Sequence, residues 1–168
     1  MGSSPVITDV HHTALFVTDL DRSLEFYCGK LDFELVSRSD DWGGEFLDVI
    51  CGGLESARVN IALVRAGGEI IELIQVLSPA GIPNDASSLP YGMARLGFEV
   101  ADIETAVAEL GSRGVEFMSE IITVAVEASP DDAPDEEQHY EGGRAIMFRD
   151  PDGIVLELQQ PTKVGVIT

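Results

Sequence analysis

Residues 10–17 alternate with a period of two, setting His12, Ala14 and Phe16 on one face of a predicted strand and Thr13, Leu15 and Val17 on the other. Asp19 follows as a helix cap. Leu20, Leu24, Tyr27 and Leu31 then recur at helical spacing, which predicts a helix over 20–30. Further strands are expected near 33–37, 59–64 and 69–76, giving the order βαβββ. The pattern then repeats: a strand over 95–100, a cap at Asp102, a helix carrying Ile103, Ala106, Val107 and Leu110, and strands near 115–117, 144–148 and 154–159. Asp150-Pro151-Asp152-Gly153 reads as the tight turn that feeds the last strand.

The two halves superpose as sequences. His12 lies over Arg95, 83 positions on, with Val17 over Val100 and Asp19 over Asp102; Glu72 lies over Glu157, 85 positions on. A period of roughly 80 residues signals two copies of one module. The expected organisation is a single domain over 1–168, with a first module at 7–77, a linker rich in turn formers at 78–92, and a second module at 93–161. The second module carries an insertion at 125–143 in which Glu127, Asp131, Asp132, Asp135, Glu136, Glu137 and Glu141 repel one another. His139 stands near its end, as a solvated loop histidine or as a group that a closing lid brings to the site.

Composition narrows the partners. A chain of 168 residues with 45% hydrophobic side chains can bury one real core. Thirty acidic against ten basic residues give a formal charge of −20, which disfavours nucleic acid and anionic membrane surfaces. No apolar run approaches the roughly 18 residues of a membrane span, and the first residues lack secretory features, so a cytoplasmic location is expected. Cys28, in the first helix, and Cys51, placed in a later strand, sit in no metal or redox spacing and read as thiols.

Strand alternation also picks out candidate chemistry. Leu15 and Val17, with Leu96, Phe98 and Val100, form the helix-packing faces, so His12 and Arg95 point the other way. Glu72 shares a face with Ile70 and Ile74, and Glu157 with Val155 and Gln159. A carboxylate flanked by isoleucines is costly unless paired or metal-bound. If both modules contribute to one curved sheet, its concave side collects His12, Arg95, Glu72 and Glu157.

The paired βαβββ units, the HTALFVTDLDRSLEFY opening, the IIEL strand and the FRDPDGIVLEL ending resemble the vicinal oxygen chelate superfamily over nearly the whole chain. That family includes glyoxalase I, methylmalonyl-CoA epimerase, extradiol dioxygenases and bleomycin-resistance proteins. The resemblance implies an α+β fold in which two βαβββ modules form a curved, mostly antiparallel sheet around a cup-shaped site. It also implies a homodimer. Carried over by position, His12, Glu72 and Glu157 match metal-ligand positions, and Arg95 stands where a fourth ligand, usually a histidine, is expected. A guanidinium offers donors only and cannot ligate a cation.

Two readings follow from that departure. His12, Glu72 and Glu157 hold a divalent ion (Mn, Fe, Co, Ni or Zn) while Arg95 turns outward to an anionic substrate, or Arg95 replaces the metal and pairs with the glutamates. Charge counting favours the second slightly, because unit charges about 5 Å apart at an effective dielectric near 20 interact by roughly 3 kcal/mol. The function implied is a glyoxalase-like enzyme acting on a small oxygenated carbon compound. It would be an isomerase, epimerase or lyase working through an enolate-type intermediate, with Glu72, Glu157 and Arg95 as catalytic groups. The alternatives are a metal-free small-molecule binding or resistance protein, and a degenerate structural module.

Overall fold

The computed structural model describes residues 10–53, 55–81, 95–123 and 143–161. The linker expectation lies largely outside these residues. So do His139 and nearly all of the acidic insertion. The chain divides into two compact units, 1–83 and 84–168. Each builds its own four-stranded mixed sheet, and the architecture is α+β.

In the first unit the elements are β1 (Thr13–Phe16), α1 (Leu20–Leu24), β2 (Glu34–Gly43), α2 (Glu45–Ile50), β3 (Arg58–Ala66) and β4 (Glu69–Ser78). The sheet order is β1-β4-β3-β2, with β1 parallel to β4 and the other pairs antiparallel. Alternation sends Leu15, Val64, Ala62, Ile71 and Leu73 to the buried face, on the side where Leu20 and Tyr27 of the first helix are also fully buried. On the opposite face α2 lays Leu47 and Cys51 against Val59, Ile61 and Ile74. That helix is a departure from expectation, and Cys51 follows it rather than lying in a strand. β2 is longer than expected and exposed along nearly its whole length. As an edge strand it is interrupted by two register shifts, and it carries Arg38, bonded to Asp40 and to Asp21 of α1, and Asp41, which accepts from Arg58 of β3. Charges and bulges of this kind keep an edge from pairing with another chain.

The second unit repeats the plan with β5 (Arg95–Glu99), α3 (Ile103–Ser112), β6 (Ile122–Thr123), β7 (Arg144–Arg149) and β8 (Val155–Gln160), in the order β5-β8-β7-β6. Ile103, Ile146, Phe148, Leu156 and Leu158 are among its buried residues. The strand expected at 115–117 is reduced to a single bridge between Phe117 and Phe148, and the short β6 pairs with β7 further along. Phe117 still packs on Phe148, their ring centroids 5.8 Å apart, so the side chain keeps its place in the core although the backbone ladder is lost.

The duplication extends to hydrogen bonds. Asp19 accepts from the Arg22 amide and Asp102 from the Thr105 amide, which caps α1 and α3 alike. Gln75 accepts from the Leu20 amide and Gln160 from the Ile103 amide, so each closing strand anchors the start of its own module's helix. The helices end differently. Val115 donates to Leu110, five residues back, whereas Phe33 donates to Tyr27, six back. Correspondingly, residues 25–30 form a π-helical turn, and the left-handed terminators Asp32 (φ 59°) and Gly114 (φ 78°) are 82 positions apart rather than 83. One extra residue in the first helix is thus absorbed as a wide turn instead of breaking the helix.

The Asp102 cap yields a pH prediction. The Thr105 backbone amide, as the leading cause, holds the Asp102 carboxyl below its ordinary range. A depressed folded value means the stabilisation is present above the unfolded carboxylate range, near pH 4, and disappears as pH falls through the folded value. Asp102→Ala is expected to unfold at lower denaturant than the natural chain at pH 7, with the gap closing as pH falls below about 4. Urea titrations at several pH values check this.

Candidate functional site

Parallel pairing of β1 with β4 sets Ala14 beside Glu72 and Phe16 beside Ile74. Antiparallel pairing on the other side sets Leu63 beside Glu72 and Ile61 beside Ile74. Glu72 therefore stands mid-strand on an apolar floor, next to the small Ala14. His12, just before β1, turns its Nε2 to within 3.4 Å of the Glu72 Oε2. The pair is partly open to water, with side-chain exposures of 39% for His12 and 18% for Glu72, so its worth lies in placement more than in stability.

In the second unit the same construction has a different partner. Gly97 lies beside Glu157 across the parallel β5–β8 pair, with Met147 on the other side. A Cβ at Gly97 would meet the Glu157 Oε2 at 3.8 Å, an ordinary van der Waals contact. Arg95 brings Nη2 to 3.4 Å from that oxygen. Glu157 is almost buried (11% side-chain exposure) while Arg95 is open (58%), which leaves guanidinium donors facing outward.

Of the four candidates, the structure pairs His12 with Glu72 and Arg95 with Glu157, each within its own unit. The three-ligand set His12, Glu72 and Glu157 draws on both units, and each unit is described by itself. Nε2 and Oε2 at 3.4 Å suit adjacent positions on an ion with bonds of about 2.0–2.2 Å. Among the described residues, however, no group of three His, Cys, Asp or Glu side chains is placed to hold one. The described donors make a pair, not a complete coordination set.

Two other side chains bear on this site. Cys51 lies in the field of Glu72; burial first, then the charges of Asp48 and Glu72, push its thiol up, so it stays protonated and is a poor nucleophile. Period two carried back from β1 would set His11 on the face opposite His12. The strand begins only at Thr13, and the two histidines before it escape strict alternation. Their Nδ1 atoms lie 2.8 Å apart, and their rings meet edge to face with centroids 5.1 Å apart. The tandem His11-His12 was visible in the sequence, but strand periodicity assigned it to two faces.

The Asp150 turn secures the strand that carries Glu157. Its Oδ1 accepts from the Asp152 and Ile154 amides, and Gly153 adopts φ 85°, a left-handed conformation that glycine takes without strain. No helix of the described residues is long and apolar enough to cross a membrane.

Comparison with known proteins agrees with this architecture. Residues 9–129 match the model of the Glyoxalase/Bleomycin resistance protein/Dioxygenase superfamily. The chain is 30% identical to the uncharacterized protein YaeR of Escherichia coli K12, over 92% of this chain and 97% of that one. It is 29% identical to a 2-epi-5-epi-valiolone epimerase of Actinomyces sp., over 92% and 80%. A glyoxalase family protein from Bacillus cereus has the same fold, with a TM-score of 0.69 at 24% identity, covering 96% of this chain and 99% of that one.

Proposed function

Since this chain belongs to the Glyoxalase/Bleomycin resistance protein/Dioxygenase superfamily, we propose that it is an isomerase, epimerase or lyase that moves a proton next to the carbonyl of a small oxygenated compound. The observation that carries this reading is the unlike company of two equivalent carboxylates: Glu72 faces an imidazole and Glu157 a guanidinium, each at 3.4 Å. Equivalent acids in different electrostatic settings take different tasks. The similarity to an enzyme named as an epimerase supports proton chemistry at carbon.

In this reading Glu72 is the base. The C–H bond beside the carbonyl breaks, its proton goes to the Glu72 carboxylate, and its electron pair moves into the carbonyl to leave an enolate oxygen. In the second unit Glu157 holds the Arg95 guanidinium in place and leaves donors facing outward, of the kind that meet an anionic group. Return of the proton to the same carbon, once the enolate has turned its other face to Glu72, gives an epimer; in a 2-hydroxy compound its return to the former carbonyl carbon, with the hydroxyl proton passing to the enolate oxygen, gives an isomer. His12 Nε2, 3.4 Å from the Glu72 oxygen, orients the carboxylate. Because a guanidinium occupies one of the four family positions, this reading runs no step through a metal.

The test is a panel of small 2-oxo and 2-hydroxy carbonyl compounds incubated with the protein in D2O, with chelator and separately with divalent metals, and followed by proton NMR. Deuterium entering the carbon next to the carbonyl in the chelated sample is the expected result; absence of exchange with every compound under both conditions rejects the reading. Arg95→Met is expected to weaken binding of compounds that carry an anionic group, through loss of a charge-assisted partner.

A further inference from the structure

A nitrogen–nitrogen contact of 2.8 Å between two histidine rings requires one proton shared between them, and the surroundings of the pair decide which ring owns it. Were the proton on His12 Nδ1, a neutral His12 would turn a bare Nε2 lone pair toward the Glu72 carboxylate oxygen 3.4 Å away. Lone pair would face lone pair. With the proton on His11 Nδ1 instead, His12 accepts at Nδ1 and presents Nε2–H to the carboxylate, and both contacts are favourable.

We propose that His11 is a positioning residue for the base: its Nδ1–H donates to His12 Nδ1, fixing the His12 ring and the tautomer that aims Nε2–H at Glu72. The chain of donors then runs His11 to His12 to Glu72, in one direction. It holds the carboxylate oriented on the face of β4 that also carries Ile74. His11 is exposed, so its Nε2 is left to water and the arrangement buries no unsatisfied group. The device belongs to the first unit alone, since the position matching His11 in the second is Ala94 and the next is Arg95, which has one protonation state. It rests on the proposed function only for its consequence on rate; the bond itself is a separate matter.

The test uses the full chain labelled with ¹⁵N in its three histidines, His11, His12 and His139, which three single variants assign. Long-range ¹H–¹⁵N spectra are taken with chelator at about pH 8.5, roughly two units above the ordinary histidine value, where neutral rings dominate. His11 is expected in the Nδ1–H form and His12 in the Nε2–H form, with a ¹⁵N–¹⁵N coupling between their Nδ1 nuclei. His11→Phe should move the His12 Nδ1 resonance to its unbonded position, and His11→Asn, whose amide can donate to the same nitrogen, should restore it. His11 in the Nε2–H form, together with a His12 spectrum indifferent to His11→Phe, overturns the proposal. Proton exchange should fall about two- to tenfold in His11→Phe through kcat rather than KM, the effect of losing one ordinary hydrogen bond, and recover in His11→Asn. If no compound exchanges but the tautomers are as expected, the functional reading falls and the histidine bond stands.

Discussion

Glu72→Gln is expected to slow proton exchange about 10²- to 10⁴-fold, equivalent to roughly 2.7–5.5 kcal/mol of barrier, while the fold survives. The amide keeps the carboxylate's shape and its place between Ala14 and Leu63, but it cannot accept the substrate proton. Stability should change little, because His12 and Glu72 form a part-exposed pair of modest worth. The comparison with Arg95→Met is informative. Glu72→Gln lowers kcat, whereas the arginine replacement should weaken binding of compounds that carry an anionic group. Steady-state kinetics on any exchanging compound separates the two. An undiminished rate in Glu72→Gln would move the base elsewhere, with Glu157 next to be tested.

Phe148→Ala should be the most damaging core substitution of the second unit, costing about 3–5 kcal/mol. Phe148 is fully buried in β7, between Leu156 on β8 and Phe117, which meets it through the isolated bridge and at 5.8 Å between ring centroids. Truncation removes the ring and leaves a cavity that two rigid neighbours cannot close. It also loosens Phe117, whose backbone has only that bridge in place of a strand ladder. For a chain of this length the melting temperature should fall by roughly 6–20 °C, taking about 2–4 °C per kcal/mol. Phe148→Leu should recover much of it. A loss under about 1 kcal/mol would show that the second core is looser than its burial indicates.

How far the sequence predicted these features depended on their physical origin. The apolar runs of β3, β4 and β8 gave those strands, because β3 and β4 bury side chains on both faces and β8 buries Leu156 and Leu158, and the caps at Asp19 and Asp102 marked both helix starts. The helix α2 was missed because Phe46, Leu47, Val49 and Ile50 are a near-continuous apolar run, which fits a strand or a short helix equally, and only Leu47 is fully buried. The wide turn at 25–30 was hidden for another reason: a one-residue insertion leaves apolar spacing intact and shows only as a change of offset between the modules. At the site, the duplication named His12, Glu72, Arg95 and Glu157, and the companions of each carboxylate followed from strand register. His11 was given no part in the site because its role depends on backbone that stops short of being a strand, where period-two reasoning does not apply.

The most direct measurement reads binding and exchange on one compound, for the natural chain and for Glu72→Gln. The account predicts that the natural chain both binds the compound and exchanges the hydrogen next to its carbonyl, and that Glu72→Gln binds with a nearly unchanged Kd but does not exchange. Tight binding by the natural chain without any exchange, in the presence and absence of divalent metal, would contradict it and identify a protein that holds its ligand without transforming it.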